Sequence, residues 1–556
     1  MIEITENTYS DGFFGNVDAS RVNLADFISI NGVLIEPHSN PSAMQDRIIV
    51  GRKGSGKTLY IRKLQDEARG RDLLTYGEVD YLYTDTIIHF LKRIREYVYT
   101  IDRTGDFDVF LDRRKTIISV WRNLWDKAIS ISVLSLALEH LRGRSRFETT
   151  NPVLRRFNNL EQMEDFLINQ YQDLFLLPNQ AISPVSCLKS TYEHLESSRR
   201  LQKFLNHAKW PEFQSFLKGM VTECPPIAIY IDQLDDEFDH APEAWLICQL
   251  GLYRSILQSA FSQSSYSGRV HVVAALRDAV YAAALRDEHA SRQFQNSYIK
   301  TLDWSPKGIR SFFAEKLTRG LSKSPDAAQS ELPALIERWL GYRTVVNGRG
   351  MAEDVATYIL RHSRMLPRDI VMLGNAIGAE IHRRRSLSQV FHEGSLRKCV
   401  SVVAEVIGNE SIALCINEAL SSMDGFAYYV RDLRGKAIQL TDYRKYIEDK
   451  VANFFLLAGE EIVTTTTVQQ ALIAAELATE AEFIDGAESY YRFDNILWRH
   501  GLIAYREIQG LSKKWRFNWS GAVNANILPY RATEIGFHAS VIDVFKIKPS
   551  SDGPVV

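Results

Sequence analysis

Ile48-Ile49-Val50-Gly51-Arg52-Lys53-Gly54-Ser55-Gly56-Lys57-Thr58 is the stretch on which the reading of this chain turns. A short apolar run stops at a glycine, and a polar, glycine-rich turn follows. A buried strand feeding a loop accounts for that change. From Leu59 to Ala68 the apolar residues Leu59, Ile61 and Leu64 return at helical spacing, which predicts a helix after the loop. Gly51 to Thr58 fits G-x-x-x-x-G-K-[ST] without a mismatch. Glycines let backbone N–H groups close around a phosphate, the lysine reaches the β- and γ-phosphates, and the Ser/Thr hydroxyl ligates Mg²⁺. Phosphate binding is therefore expected at Gly51, Arg52, Lys53, Gly54, Ser55, Gly56, Lys57 and Thr58, with Thr58 also on the metal. The helix that follows directs its positive dipole end at the anion. ATP with Mg²⁺ is the expected ligand.

Such a loop needs a carboxylate at the tip of a neighbouring buried strand to hold Mg²⁺ through water. Pro225-Pro226 breaks the chain, and Ile227-Ala228-Ile229-Tyr230-Ile231 then reads as a fully buried parallel strand ending in Asp232. Asp232 is the expected metal-side carboxylate. Gln233 stands where a water-activating glutamate is usual, which leaves Asp235 or Asp236, about one turn further on, to position the water. The alternative is that these acids form a solvated loop or cap a helix. After a predicted helix from Ala244 to Phe261, Val270 to Leu276 forms another buried strand that ends in Arg277. A cation there would face the γ-phosphate; the alternative is a surface arginine beside Asp278. Tyr298 to Leu302 reads as the last strand and Tyr81 to Thr84 as a further one. Strand, loop, helix, strand, helix, strand in this order predicts an α/β fold with a parallel sheet.

The segments outside these strands read differently. Residues 1–45 look like an arm and linker, ending in the polar, proline-containing stretch Glu36 to Gln45. Residues 46–86 and 226–304 form the predicted core, with 87–225 as a helical insertion in which Ile88, Phe90, Leu91, Ile94 and Val98 recur at three and four. Trp121 and Trp125 are expected in its interior. Ala128 to Leu138 is too short to span a bilayer and reads as a buried helix. Residues 305–400 suggest a helical lid. Helical patterning then continues almost to Phe483, within a C-terminal region of 401–556. A helix from Tyr490 to His500, stopped by Gly501, precedes two predicted short strands, Leu502–Tyr505 and Trp515–Asn518. Helix followed by hairpin is the signature of a winged helix. Lys513, Lys514 and Arg516 at its wing make DNA a candidate partner; Arg383-Arg384-Arg385 is a second basic run. A solvated charged face is the alternative for both.

Composition narrows the classes. Of 556 residues, 45% are hydrophobic and 24% charged, which excludes a disordered chain or a fibre. Lys+Arg 66 against Asp+Glu 68 gives a net charge of −2, so any nucleic-acid footprint must be local. Cys187, Cys224, Cys248, Cys399 and Cys415 are scattered without a CxxC pair, the pattern of reduced intracellular thiols. The opening MIEITENTYSDGFFG lacks the apolar core of a signal peptide, so a soluble cytoplasmic protein is expected. The histidines show no ligand spacing, and no metal is expected beyond nucleotide-bound Mg²⁺.

Met365-Leu366-Pro367-Arg368-Asp369-Ile370, at a predicted helix start, adds a last feature. With it, the order of elements resembles the AAA+/STAND division of P-loop ATPases. Gly12 to Ala19 (GFFGNVDA), residues 48–58, Ile229 to Asp236 (IYIDQLDD) and Leu366 to Leu373 (LPRDIVML) look like a group of prokaryotic standalone ATPases of that type, some of them found in phage-defence loci. The resemblance covers the core and lid. It implies a P-loop NTPase core with parallel sheet, helical lid and winged-helix-like end. It also implies ATP binding and hydrolysis by a switch ATPase that acts with a protein partner or by self-association. Arg277 would be its strand-end sensor and Arg368 its lid sensor; Arg368 paired with Asp369, or capping the helix, is the alternative. Lys57, Asp232, Asp235, Arg277 and Arg368 are then the expected catalytic set. Gln233 and the long insertion depart from the family pattern. Two rival readings follow: a nucleotide-gated DNA-binding protein of initiator or loader type, and a non-hydrolysing ATP-bound scaffold.

Overall fold

A computed structural model of the chain describes residues 12–19, 21–24, 48–70, 73–76, 84–101, 110–144, 149, 151–172, 179–232, 234, 242–258, 268–286, 299–321, 331–420, 438–484, 492–506, 514–518, 527–529, 531–550 and 552–554. The chain divides into two units. One holds residues 36–53 and 57–302; the other holds 1–35, Gly54–Gly56 and 303–556.

In the first unit the order is β1 (Ile48–Gly51), α1 (Lys57–Arg69), β2 (Leu74–Tyr76), α2 (Thr84–Ile101), α3 (Phe110–Arg142), α4 (Leu160–Tyr171), α5 (Pro184–His194), α6 (Ser198–Leu205), α7 (Trp210–Thr222), β3 (Ile227–Ile231), α8 (Pro242–Gln258), β4 (Val270–Arg277), α9 (Asp278–Arg286) and β5 (Ile299–Thr301). The fold is α/β. Its five strands lie in the order β2-β3-β4-β1-β5, and every pair is parallel. Every residue of β1, β3 and β4 is buried, which explains their unbroken apolar sequences: a parallel strand covered on both faces has no polar side. The strand after α1 is not the expected Tyr81–Thr84. It is the three-residue β2, and Thr84 already opens α2, while 81–83 lie outside the described residues. A three-residue edge strand offers too short a period for sequence to reveal.

Helices α2 to α7 fill the stretch between β2 and β3, as a helical insertion should. The 33-residue α3 is its spine. Trp121 and Trp125 are fully buried, and Trp125 Nε1 donates to the Cys248 carbonyl at 3.1 Å. All of Ala128 to Leu138 is buried. Its serines still find acceptors: Ser130 Oγ donates to Asp126 O at 2.7 Å, Ser132 Oγ to Ile182 O at 2.6 Å and Ser135 Oγ to Ser132 O at 2.8 Å. A helix apolar all round is thus explained by neighbours on every side. One of them, α8, comes so close that a Cβ at Gly251 would sit 2.5 Å from Trp121 Cβ.

The second unit continues with α10 (Pro306–Leu321), α11 (Leu332–Leu340), β6 (Thr344–Val346), β7 (Ala352–Asp354), α12 (Val355–Leu360), α13 (Pro367–Ser386), α14 (Glu393–Leu420), α15 (Ile438–Ala458), β8 (Ile462–Thr464), α16 (Thr465–Ala474), α17 (Ala481–Ile484), α18 (Phe493–Arg499), β9 (Ile503–Arg506), β10 (Arg516–Phe517), β11 (Glu534–Phe537) and α19 (Ala539–Phe545). The expectation of helix from Ser305 to Phe483 fails at the β6–β7 hairpin and at β8. All three are three-residue strands, and β8 pairs with a partner far along the chain. The predicted terminal hairpin is present as β9 and β10, but within a four-stranded antiparallel sheet ordered β10-β9-β11-β8. The stretch read as an arm also carries core: Phe13 and Phe14 are buried among α10, α11 and α13.

Two hydrophobic clusters fill this unit, and α14 serves both, with Leu396 to Ile407 in one and Ile412 to Leu420 in the other. Between them, Gly408 lets α19 cross: a Cβ there would meet the Ser540 carbonyl at 2.6 Å. Among the described residues α14 is the one helix long and apolar enough to cross a membrane, and half of its apolar window is buried inside the unit. Near that crossing His362 Nε2 lies 3.9 Å from Asp543 Oδ2. Burial holds His362 neutral, with its pKa lowered to about 3, and burial pushes the Asp543 carboxyl up to about 6. The folded-state pKa of Asp543 lies above its unfolded value. Its contribution is therefore full below the ordinary aspartate range and is lost as pH rises through 6. Asp543→Asn should raise unfolding stability by about 2–3 kcal/mol at pH 7.5 and change it little at pH 4, as urea titrations at the two pH values will show.

Candidate functional site

The Gly51–Thr58 loop leaves the end of β1 and enters α1. Its two interior glycines take left-handed backbone conformations, φ +89° at Gly54 and +97° at Gly56, which residues with a Cβ rarely adopt. Lys57 Nζ folds into the loop and donates to the Gly51 carbonyl at 2.7 Å and the Arg52 carbonyl at 3.1 Å. Helix α1 starts at Lys57 and has no acidic residue in its own first turn to offset the positive end of its dipole. Ser55 is buried, and its Oγ has no hydrogen-bond partner among the described residues. Arg52 Nε lies 3.8 Å from Asp278 Oδ2. Asp278, weighed above as a neighbour for Arg277, thus reaches Arg52.

The sheet order places the other residues. Gly51 is level with Arg277 on the adjoining β4, and Arg277 is buried at the end of that strand. Ile231 of β3 is level with Ala274, so Asp232 emerges at the same carboxyl edge, one strand further on. Strands lie ~4.8 Å apart, which puts the Asp232 strand about 10 Å from β1. The connection out of β1 runs toward β2 at one edge, and the connection out of β4 runs toward β5 at the other. Connections that part in this way mark the carboxyl ends of β1 and β4 as the point where parallel sheets usually bind ligands. Asp232 is half-buried; Gln233, Asp235 and Asp236 lie outside the described residues.

Gly54–Gly56 group with the second unit, and within it they meet two residues. The Arg368 amide N–H donates to the Gly54 carbonyl at 3.3 Å, and Trp304 Nε1 donates to the Ser55 carbonyl at 2.9 Å. Arg368 stands in the first turn of α13, as its Pro-Arg pattern implied, and its Nη2 reaches Glu410 Oε1 at 3.2 Å. The pairing of Arg368 with Asp369 does not form. Asp369 is fully buried and receives Arg364 instead, through Nε at 3.0 Å, Nη2 at 2.8 Å and the backbone amide at 2.9 Å. Sequence reasoning missed Trp304, Glu410 and Arg364. Trp304 and Glu410 reach their partners only through tertiary structure. Arg364 is five residues from Asp369, but the bend at Met365, φ +55°, brings them together, and no periodic pattern announces it.

At the β9–β10 hairpin, Lys514 is exposed, Arg516 is half-buried on β10, and Lys513 lies outside the described residues. Acids already stand nearby: Arg506 pairs with Glu534 and with Asp552, the latter at 2.6 Å, and Trp515 Nε1 donates to the Asp552 carbonyl. In the other basic run Arg383 and Arg384 both pair with Glu380 at 2.7 Å.

Compared with protein-family models and with curated proteins, the chain matches none of them.

Proposed function

We propose that this chain is a P-loop ATPase, a nucleotide-controlled switch in which the Gly51–Thr58 loop binds the phosphates of ATP. The observation that carries the reading is the place of that loop: it sits at the carboxyl ends of β1 and β4, where the connections of a parallel sheet diverge. Residue chemistry fits the ligand. Two glycines hold left-handed conformations, the Ser55 hydroxyl is buried with no partner among the described residues, and α1 begins directly after the loop.

In this reading Lys57 exchanges the carbonyls of Gly51 and Arg52 for β- and γ-phosphate oxygens. Thr58 and Asp232 are the residues that would hold Mg²⁺, which when bound neutralises charge developing on the phosphates. Arg277, buried at the level of Gly51, stabilises the γ-phosphate. Arg368, whose amide donates to the Gly54 carbonyl, is the nucleotide sensor. Asp235 positions the attacking water in place of the glutamate that Gln233 replaces. Residues 305–400 act as the lid, and α18 with the β8–β11 sheet is the winged-helix-like end. Steady-state hydrolysis of ATP by the purified chain, with and without Mg²⁺, tests the proposal: Mg²⁺-dependent turnover supports it, and absence of both turnover and ATP binding rejects it. Binding without turnover favours the non-hydrolysing scaffold.

DNA as a partner is a second reading, carried by exposed Lys514 at the edge of the four-stranded sheet. It expects ATP-dependent DNA affinity that falls with salt and weakens in a Lys513, Lys514 and Arg516 triple-alanine variant. Unchanged affinity in that variant rejects it.

A further inference from the structure

Gly12-Phe13-Phe14-Gly15 forms a tight turn closed by a hydrogen bond from the Gly15 amide to the Gly12 carbonyl at 3.1 Å, with both glycines in left-handed conformations. Both phenylalanines point into the helical unit. Phe13 stacks on Trp339 with ring centroids 5.4 Å apart, and Phe14 meets Trp339 at 5.7 Å and Phe313 edge-on at 5.8 Å. The sockets for the rings are cut by glycines. A Cβ at Gly374 would lie 2.1 Å from Phe14 Cδ2, one at Gly378 would lie 2.6 Å from Phe13 Cβ, and one at Gly320 would lie 2.7 Å from Phe13 Cζ.

The turn's backbone is read as well. Asn375 accepts the Phe14 amide on Oδ1 at 2.7 Å and donates Nδ2 to the Gly15 carbonyl at 2.9 Å, while Lys316 Nζ donates to the Phe14 carbonyl at 2.9 Å. Side chains more than three hundred residues away therefore satisfy backbone groups that secondary structure would otherwise pair. Ring sockets plus side-chain hydrogen bonds to the backbone of the seated segment are elements of peptide recognition.

We propose that Lys316, Gly320, Trp339, Gly374, Asn375 and Gly378 form a peptide receptor and that Gly12–Gly15 is its tethered ligand. When its own segment is released, the receptor takes the same Gly12–Gly15 turn from a second copy of this protein. The inference does not depend on nucleotide chemistry. Covalent tethering gives the segment an effective concentration in the millimolar range, so a free peptide competes poorly with the intact chain and well once the tether is cut.

The test is a full-length chain carrying a protease site between Asn40 and Pro41, cleaved after folding, and titrated with a fluorescein-labelled peptide of residues 8–24. Fluorescence anisotropy should show saturable binding to the cut chain, at least tenfold weaker binding to the uncut chain, and loss of binding for a peptide with Phe13→Ala and Phe14→Ala. Asn375→Leu in the cut chain should weaken binding at least tenfold. Equal binding of the native and double-alanine peptides overturns the proposal. So does a fragment that cannot be displaced while circular dichroism shows the chain folded, and so does unfolding on release, which would make the segment part of the core.

Discussion

Lys57→Ala should lower ATP turnover by a factor of about 10²–10⁴, equivalent to about 3–5 kcal/mol of lost transition-state stabilisation. The argument is electrostatic. Phosphoryl transfer leaves the protein little covalent work, so its rate depends on positive charge held where negative charge develops. Lys57 is one of the loop's cations, beside Arg52 and Lys53, and its Nζ is already confined between two carbonyls of that loop. A confined donor loses little further freedom on meeting a phosphate. Removing the side chain also deletes two hydrogen bonds, so folding of the variant is checked by circular dichroism and its turnover measured beside the parent under saturating Mg²⁺ and ATP. Parent-like turnover in a folded Lys57→Ala protein would dismiss the assignment of this loop. Arg277→Ala provides the graded comparison: Arg277 is buried and level with Gly51, and its loss should reduce turnover without abolishing ATP binding.

Asp369→Ala carries the largest expected effect on stability, about 3–5 kcal/mol. Its carboxylate is fully buried and takes three N–H groups from Arg364, whose own side chain is 5% exposed. Deleting the acid leaves a guanidinium and a backbone amide without acceptors in a dry interior. The cost comes from that stranded charge more than from the attraction lost. Replacing both partners with apolar residues, Arg364→Met with Asp369→Leu, should recover most of the loss, because no charge is then left buried. Urea unfolding of the parent, the single and the double variant separates the two terms; a single variant within about 1 kcal/mol of the parent would contradict the geometry.

The legible parts of this molecule share one property: their signal is local. Residues 227–231 and 270–277 announce buried strands because a strand covered on both faces has no polar side. Ala128 to Leu138 announces a buried helix for the matching reason. Gly54 and Gly56 announce a tight turn between strand and helix because left-handed backbone freedom belongs to glycine itself. The illegible parts depend on distant partners. Strand β2 and strands β6 to β8 are three residues each, too short for a period to emerge, and they exist because a neighbouring strand completes their hydrogen bonds. Asp369, the alternative partner weighed for Arg368, is held instead by buried Arg364, which the bend at Met365 turns back onto it.

By itself, the sequence determined that the chain is α/β, where its buried strands run, and that one loop carries the residue types for phosphate. Those follow from side-chain polarity, glycine backbone freedom and charge, which act within a few residues. Only the tertiary structure decided the strand order that sets Arg277 level with Gly51, with Asp232 one strand further on, the meeting of Arg368 with Gly54 and Glu410, and the docking of Phe13 and Phe14 in sockets cut by Gly320, Gly374 and Gly378. Each of these joins residues far apart in the chain. Burial and hydrogen bonding select among such pairings only when the whole unit has folded, and no window of sequence contains both partners.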